Sequence, residues 1–431
     1  VSQTAVGVAV KQAVGRRSRV TETQHTLRFL IVDDDPDLTA LVLALLEAAG
    51  HEVRTAGTGS EALGALETFS PDCVLVDLML PDMDGFDLCT RLRPQDAPHG
   101  PKLVVVSAKH YAYDRAKATR IGVDGYFVKP IDPNAFVSDV ERIVRDEVAV
   151  GFWGVRGTLP VSGRQSLRYG GNTSCVSLEF PDGRRFIFDA GTGIKVLSDH
   201  LRGHLGERQR ASLFISHPHW DHINALPFFV PFYVQGNEFD LYGPSAAESG
   251  FEALIFAQMD SVYFPITSRE FAASVRCHTV SSGERSIEGV QVKTMLLSHP
   301  GTCLGYRVEY GGRAFCYITD NELFLPDNPY FNPHYEASLR SFVSGADLLV
   351  TDTTYSDAEY ANRVGWGHSA VGPVVELAHQ AEVQRLCLFH HDPDQDDDAI
   401  DAKLAAAQAQ LSELGSGTEC QAPAEGDRLW L

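Results

Sequence analysis

Three histidines and one aspartate stand within six residues in the run Ile215-Ser216-His217-Pro218-His219-Trp220-Asp221-His222, directly after an apolar stretch. A packed core does not explain this composition, because each imidazole and the carboxylate would need its own buried partner. Divalent cations do explain it. Zn²⁺ takes imidazole nitrogen readily, and mixed His and Asp donors suit Zn²⁺, Mn²⁺ or Fe²⁺ with positions left open for water. A second set of reactive groups comes earlier: Asp33, Asp34 and Asp35 in succession, then Asp77, Ser107 and Lys129, the last followed by Pro130. Converging carboxylates repel one another unless a hard cation such as Mg²⁺ lies between them, and Mg²⁺ prefers oxygen ligands and keeps several waters. A nearby ammonium and hydroxyl would complete a pocket for a phosphoryl group on Asp77.

The elements that position the earlier set are short β-type runs at 29–32, 53–55, 73–76, 103–106 and 126–128, alternating with helical periodicity. The clearest helix is 37–49, where Leu38, Leu41, Val42, Leu45 and Leu46 form one stripe, and a last one is expected over 134–147. Alternating strands and helices predict a five-stranded parallel sheet wound on both faces, with its chemistry at the carboxyl ends of the strands. Beyond 149, strands are expected at 177–180, 185–189, 212–216, 290–295, 305–310, 314–319, 348–351 and 385–390, which predicts two sheets flanked by helices. The class is α/β throughout. A β-type run already begins at residue 150, so almost no linker separates the two parts, and they are expected to dock rather than swing freely. Residues 1–26 carry Lys11, Arg16, Arg17 and Arg19 and no apolar core of secretory length, so they are expected to be a disordered tail and not a signal peptide.

Residues 27–148 resemble a response-regulator receiver domain, through VDDD at 32–35, DLMLPDMDG at 77–85, SA at 107–108 and KP at 129–130. The resemblance implies a flavodoxin-like fold with Asp77 as phospho-acceptor and Asp33 and Asp34 as Mg²⁺ carboxylates. It also implies Ser107 and Lys129 as phosphoryl contacts, Tyr126 as an aromatic switch, and a cognate sensor histidine kinase as partner. Control through domain packing or dimerisation follows, and a homodimer is expected.

Residues 149–431 resemble the metallo-β-lactamase superfamily through the H-x-H-x-D-H run 217–222. Further matches fall in order: Asp189 in FDAGTG, His299 in LSHPG, Asp320 in YITD, His368 in GHS and His390 in FHHDP. This resemblance implies an αββα sandwich holding two divalent transition metals, Zn, Mn or Fe. His217, His219 and His299 would hold one, Asp221, His222 and His390 the other, and Asp320 would bridge them, with Asp189 supporting a ligand histidine from behind. Strand alternation puts His390 and His391 on opposite faces; His390 is preferred because it closes the strand where the family's ligand falls. Asp392 is expected to be solvated or to lie behind the ligands.

The stretches FWGVRGTLP (152–160), RYGGNTSC (168–175), DAGTGI (189–194) and SHPHWDHINALPFF (216–229) are similar to bacterial phosphodiesterases of that superfamily, of the cyclic-nucleotide-type and ribonuclease Z-like branch. Two metals bridged by one Asp can generate hydroxide near neutral pH and clamp the attacking and leaving oxygens of a phosphodiester. His368 matches the histidine that acts on the leaving group, a role imidazole can fill near neutral pH. The catalytic set is then His368, Asp221 and Asp320. Aromatic residues between Phe228 and Phe264 are expected either to stack a nucleobase or to serve as core or a dimer contact.

Composition narrows the substrate. The 431 residues hold 36 Lys and Arg against 57 Asp and Glu, a net charge of −21. The first 26 residues carry net +3, residues 27–148 carry 12 basic against 21 acidic residues, and the remainder 20 against 35. Phosphate polymers are bound mainly by Lys and Arg, so this balance disfavours long nucleic acids. Neither a helix-turn-helix nor a basic recognition helix is visible, so no DNA-binding module is expected. No apolar run reaches membrane-spanning length, and eight cysteines without a C-x-x-C pair fit a reducing cytoplasm. The expectation is a two-component response regulator whose output domain hydrolyses a small nucleotide-type phosphodiester. The alternatives are an RNA or DNA nuclease of ribonuclease Z type and a non-catalytic, phosphorylation-controlled binding protein on a hydrolase scaffold.

Overall fold

The computed structural model describes residues 26–93, 100–109, 111–202, 208–245 and 249–431; apart from Thr26, the expected tail lies outside them. The chain divides into two compact units. One runs to Glu147 and includes Phe180–Gly183, and the other comprises Val148–Glu179 and Arg184–Leu431.

In the first unit, β1 (Arg28–Val32), β2 (Glu52–Ala56), β3 (Cys73–Val76), β4 (Lys102–Ser107) and β5 (Gly125–Val128) form an all-parallel sheet in the order β2-β1-β3-β4-β5. The central strands read as continuous apolar runs because helices cover both faces. Alternation sorts their side chains: Leu30, Val32, Val74 and Val76 pack with Phe86 and Leu88, while Phe29, Ile31, Cys73 and Leu75 pack with Val42, Leu46, Phe136 and Val140. The strand order reverses between β1 and β3, so the crevice at their carboxyl ends lies between Asp33 and Asp77. Asp35 is a helix cap: its carboxylate accepts from the Asp37 and Leu38 N–H groups at 3.0 and 3.3 Å and starts the helix Pro36–Ala48. The helix expected over 134–147 is shorter, Phe136–Val144, and starts without a side-chain cap.

The described residues of the second unit form fourteen strands: β6 (Ala149–Gly154), β7 (Cys175–Glu179), β8 (Arg185–Phe188), β9 (Arg210–Phe214), β10 (Glu238–Gly243), β11 (Ser274–Thr279), β12 (Gly283–Ile287), β13 (Val290–Leu296), β14 (Leu304–Tyr310), β15 (Arg313–Ile318), β16 (Leu348–Asp352), β17 (Arg385–Phe389), β18 (Glu419–Gln421) and β19 (Arg428–Trp430). They form two seven-stranded mixed sheets, β11-β10-β9-β8-β7-β6-β19 and β12-β13-β14-β15-β16-β17-β18. Aromatic rings join the sheets: Phe188 lies 5.3 Å from both Phe315 and Tyr317, and Phe214 5.4 Å from Tyr306. Each buried Phe of this kind contributes roughly 1.5–3 kcal/mol by burial. The alternate residues face outward against helices, Ile187 and Leu213 toward Gly193–Arg202, and Cys316 and Ile318 toward Pro333–Val343 and Val371–Gln380. Two helix layers therefore enclose two sheets.

Strands β10, β11, β12, β18 and β19 were not among those expected from the sequence. β10 and β11 mix polar and apolar residues, and β11 forms a sheet edge with most of its residues partly exposed, so neither shows a continuous apolar run.

Candidate functional site

The ends of β8, β9, β15, β16 and β17 deliver Asp189, the 217–222 run, Asp320, Asp352 and His390 to one region. Three of these residues, Asp189, Asp320 and His390, have left-handed backbones with φ of 59°, 40° and 60°. Asp and His enter that region more readily than most residues, and such strained positions cluster at functional sites.

Two groups of side chains meet at Asp320, and a third, of Asp320, Asp352, His368 and His390, overlaps them. One comprises His217, His219, His299 and Asp320, the other Asp221, His222, Asp320 and His390; within each group the donor atoms lie within 4.8 Å of one another. The carboxylate of Asp320 is divided between them. Its Oδ1 lies 3.1 Å from His222 Nε2 and 3.0 Å from His390 Nε2, and its Oδ2 lies 3.5 Å from His217 Nε2 and 3.7 Å from His299 Nε2. The second group is fully buried, whereas His219 opens the first to solvent.

Four of the five imidazoles, those of His217, His222, His299 and His390, are oriented from behind. Asp189 accepts from His222 Nδ1 at 2.7 Å, while the Ser216 amide and hydroxyl and the Tyr317 hydroxyl also donate to it. Thr354 Oγ1 lies 3.1 Å from His390 Nδ1, Ser216 Oγ lies 3.0 Å from His217 Nδ1, and His299 Nδ1 donates to the Gly367 carbonyl at 2.8 Å. In each case Nε2 is left for the centre, the arrangement that metal-binding histidines need.

The charge state also suits a cation. Burial and the neighbouring His222 hold His217 well below the ordinary histidine range, so it is neutral, and its buried Nε2 has no hydrogen-bond partner among the described residues. Burial opposes charge on His222, but the carboxylates of Asp221, Asp320 and Asp189 override it and hold this imidazole well above its usual range. Three buried carboxylates thus demand a positive charge, and a bound cation would supply it in place of that proton. The residues fit a divalent metal pair.

His368 stands between the groups, its ring 5.3 Å from His299 and 5.0 Å from His390. Its Nδ1 is 2.8 Å from Asp352 Oδ2. Burial disfavours its charge, yet the adjacent Asp352 carboxylate raises it to about 9. Asp352 was missed in the sequence, although an acid closing an apolar strand was its visible signal. His391, the alternative to His390, belongs to neither group; it is fully buried with its Nδ1 3.1 Å from Lys403 Nζ. Asp392 belongs to neither group, and its Oδ1 accepts from the Asp394 N–H at 2.8 Å. Of the aromatic stretch, Phe229, Phe232 and Met259 are core residues, while Phe228 and Tyr263 are exposed.

In the first unit, Asp33, Asp34 and Asp77 bring carboxylate oxygens within 4.8 Å of one another. Lys129 Nζ donates to Asp33 Oδ2 at 2.8 Å and to Asp77 Oδ2 at 2.6 Å. Asp34 is exposed, and burial raises Asp33 above the ordinary carboxylate value. Ser107 is buried at the end of β4, its carbonyl accepting from the Lys129 N–H at 2.9 Å. The Tyr126 hydroxyl donates to the Lys109 carbonyl at 2.8 Å.

Residues 29–141 match the family model of the response regulator receiver domain, and residues 184–391 that of the beta-lactamase superfamily domain. The DNA-binding response regulator MtrA of Mycobacterium leprae is 35% identical over 156 residues, covering 36% of this chain and 68% of that protein. The chain belongs to the response-regulator family. MtrA of Mycolicibacterium smegmatis is 40% identical over 121 residues, covering 28% of this response regulator and 52% of MtrA, so the chain spans about half the length of that relative. The second unit of this response regulator has the metallo-β-lactamase fold, which implies divalent metal use. Among solved structures, the metallo-beta-lactamase fold protein YhfI from Bacillus subtilis is similar at 18% identity and a TM-score of 0.48, covering 66% of this chain and all of YhfI. No helix among the described residues is long and apolar enough to cross a membrane, and none of the eight cysteines is in a disulfide.

Proposed function

We propose that this response regulator controls a dinuclear metal-dependent phosphodiesterase that acts on a small, nucleotide-type phosphodiester. The observation that carries the reading is the division of the Asp320 carboxylate between two imidazole groups. His217, His219 and His299 would hold one Zn, Mn or Fe ion and Asp221, His222 and His390 the other, with Asp320 between them. Such a pair, when bound, supplies water activation and charge neutralisation at the scissile phosphate.

The remaining steps belong to the chain's own side chains. Asp189, Ser216, Thr354 and the Gly367 carbonyl hold the imidazoles in one tautomer. Asp352 engages His368 Nδ1, so the proton for the leaving oxygen is carried on Nε2. The acidic surplus of residues 149–431 repels long polyanions but not a small diester met by the centre itself. A panel of cyclic mononucleotides, cyclic dinucleotides, a chromogenic bis-ester and RNA tests this reading. Turnover of the small diesters supports it. Activity on RNA alone would replace it with a nuclease, and a protein holding less than one metal per chain after chelator-free purification would replace it with a binding role.

A receiver domain implies a cognate histidine kinase. Asp77 is the proposed acceptor, with Mg²⁺ at Asp33 and Asp34, Lys129 and Ser107 meeting the phosphoryl group, and Tyr126 reporting its presence. Asp77→Asn is expected to abolish phosphorylation by acetyl phosphate with Mg²⁺, read on a phosphate-affinity gel. Hydrolysis rate and oligomeric state are expected to change on phosphorylation of the wild type and to stay unchanged in this variant, as control through a homodimer requires.

A further inference from the structure

The residues after Asp320 bind both loops bordering the open side of the centre, and Glu322 is their junction. Its side chain is buried. Oε1 accepts from the Tyr360 hydroxyl at 2.8 Å and the Gly365 N–H at 2.7 Å, and Oε2 accepts from the Gly367 N–H at 2.7 Å. The Glu322 N–H donates to the carbonyl of Ser298, the neighbour of His299, at 2.8 Å. Gly367 is therefore held through its N–H by Glu322, and its carbonyl in turn holds His299 Nδ1. The approach is close. A Cβ on Gly367, whose φ is +87°, would lie 2.5 Å from His299 Nδ1 and 2.7 Å from Pro300 Cδ, so nothing but glycine fits there unstrained. The next residue is His368.

We propose that Glu322 is a positioning residue of the metal centre: through Gly367 it sets the tautomer of His299 and the place of His368. A carboxylate suits this post because it only accepts, and all three neighbouring groups donate. Glutamine would turn an amide N–H toward a backbone N–H or toward the tyrosine hydroxyl. The effect falls on the group containing His299 and leaves the buried group of Asp221, His222 and His390 intact. The inference rests on reading the centre as a metal site.

Full-length wild type and Glu322→Gln, stripped with chelator, are titrated with Zn²⁺ alone by calorimetry, with thermal melting followed in parallel. The wild type is expected to take up two ions. The variant is expected to keep one at wild-type affinity and to bind the other about 10- to 100-fold more weakly, with kcat lowered and KM little changed. Two ions at wild-type affinity in the variant overturn the proposal alone, as does equal weakening of both, which marks a general loss of packing. A wild type that binds no Zn²⁺ overturns the metal reading and the proposal with it. Should Glu322→Gln not fold, Glu322→Asp, which keeps the charge and shortens the reach, decides by the same criterion of selective weakening.

Discussion

Asp320→Asn is expected to lower hydrolysis of a chromogenic phosphodiester by about 10³-fold and to leave the protein holding fewer than two metals per chain. The reason lies in the two directions of one carboxylate. Oδ1 faces His222 and His390, Oδ2 faces His217 and His299, and an amide can accept on only one side. The other side would present an N–H to groups that should face a cation. Burial pushes the Asp320 carboxyl up, but the surrounding His390, His222 and His217 hold it well below the ordinary carboxylate range, so the native group is anionic at every relevant pH. Asparagine has nearly the same shape, and the φ of 40° at this position is one that Asn accepts, so the change removes charge with little strain. Kinetics on the bis-ester together with metal analysis check the result; near-normal activity with two metals bound would end the bridging role. Treatment of the wild type with chelator is expected to abolish activity and re-addition of Zn²⁺ or Mn²⁺ to restore it.

His368→Ala is expected to reduce kcat by about 10²- to 10⁴-fold while leaving metal content unchanged. The sign of the accompanying pH effect follows from the Asp352 contact. A general acid works in its protonated form, and although burial disfavours that charge, Asp352 keeps His368 protonated up to about 9. Activity that depends on it is present below that pH and falls as pH rises through it. Asp352→Asn removes the supporting charge, so the alkaline limb of kcat is expected to move to lower pH, and in His368→Ala that limb disappears. A limb unchanged in both variants would take the proton donor away from His368. The stability contribution has the same direction: with a folded-state value raised above the unfolded one, it is full below about 6.5 and is lost as pH rises toward 9.

How much of this was readable from the chain depended on sequence separation. The receiver sheet was readable because its central strands are buried on both faces and so spell continuous apolar runs. The 217–222 cluster was readable because four of the six residues there, three histidines and one aspartate, lie outside any core preference and stand together. Asp352 and Glu322 were not readable. Their importance arises from contacts 16 and 45 residues away, and an isolated acid after an apolar run looks the same whether it is solvated or buried against a histidine. The preference for His390 over His391 came from where the family's ligand falls, because strand alternation says only that the two face opposite ways; His391 lies against Lys403. β11 escaped notice because an edge strand with one partner shows little apolar pattern.

The left-handed backbones at Asp189, Asp320 and His390 bear on how such a chain drifts over generations. An apolar residue at any of these corners costs about 1–2 kcal/mol in backbone energy before its packing is considered, and the cost is greatest for branched side chains. Asparagine fits the same conformation almost freely. A lineage under relaxed selection therefore finds an easy exit from chemistry by replacing an acid with its amide, and a difficult one by filling the corner with an aliphatic. The sandwich would outlast its reaction, and descendants with a silent centre would keep their polar corners long after the charges were gone.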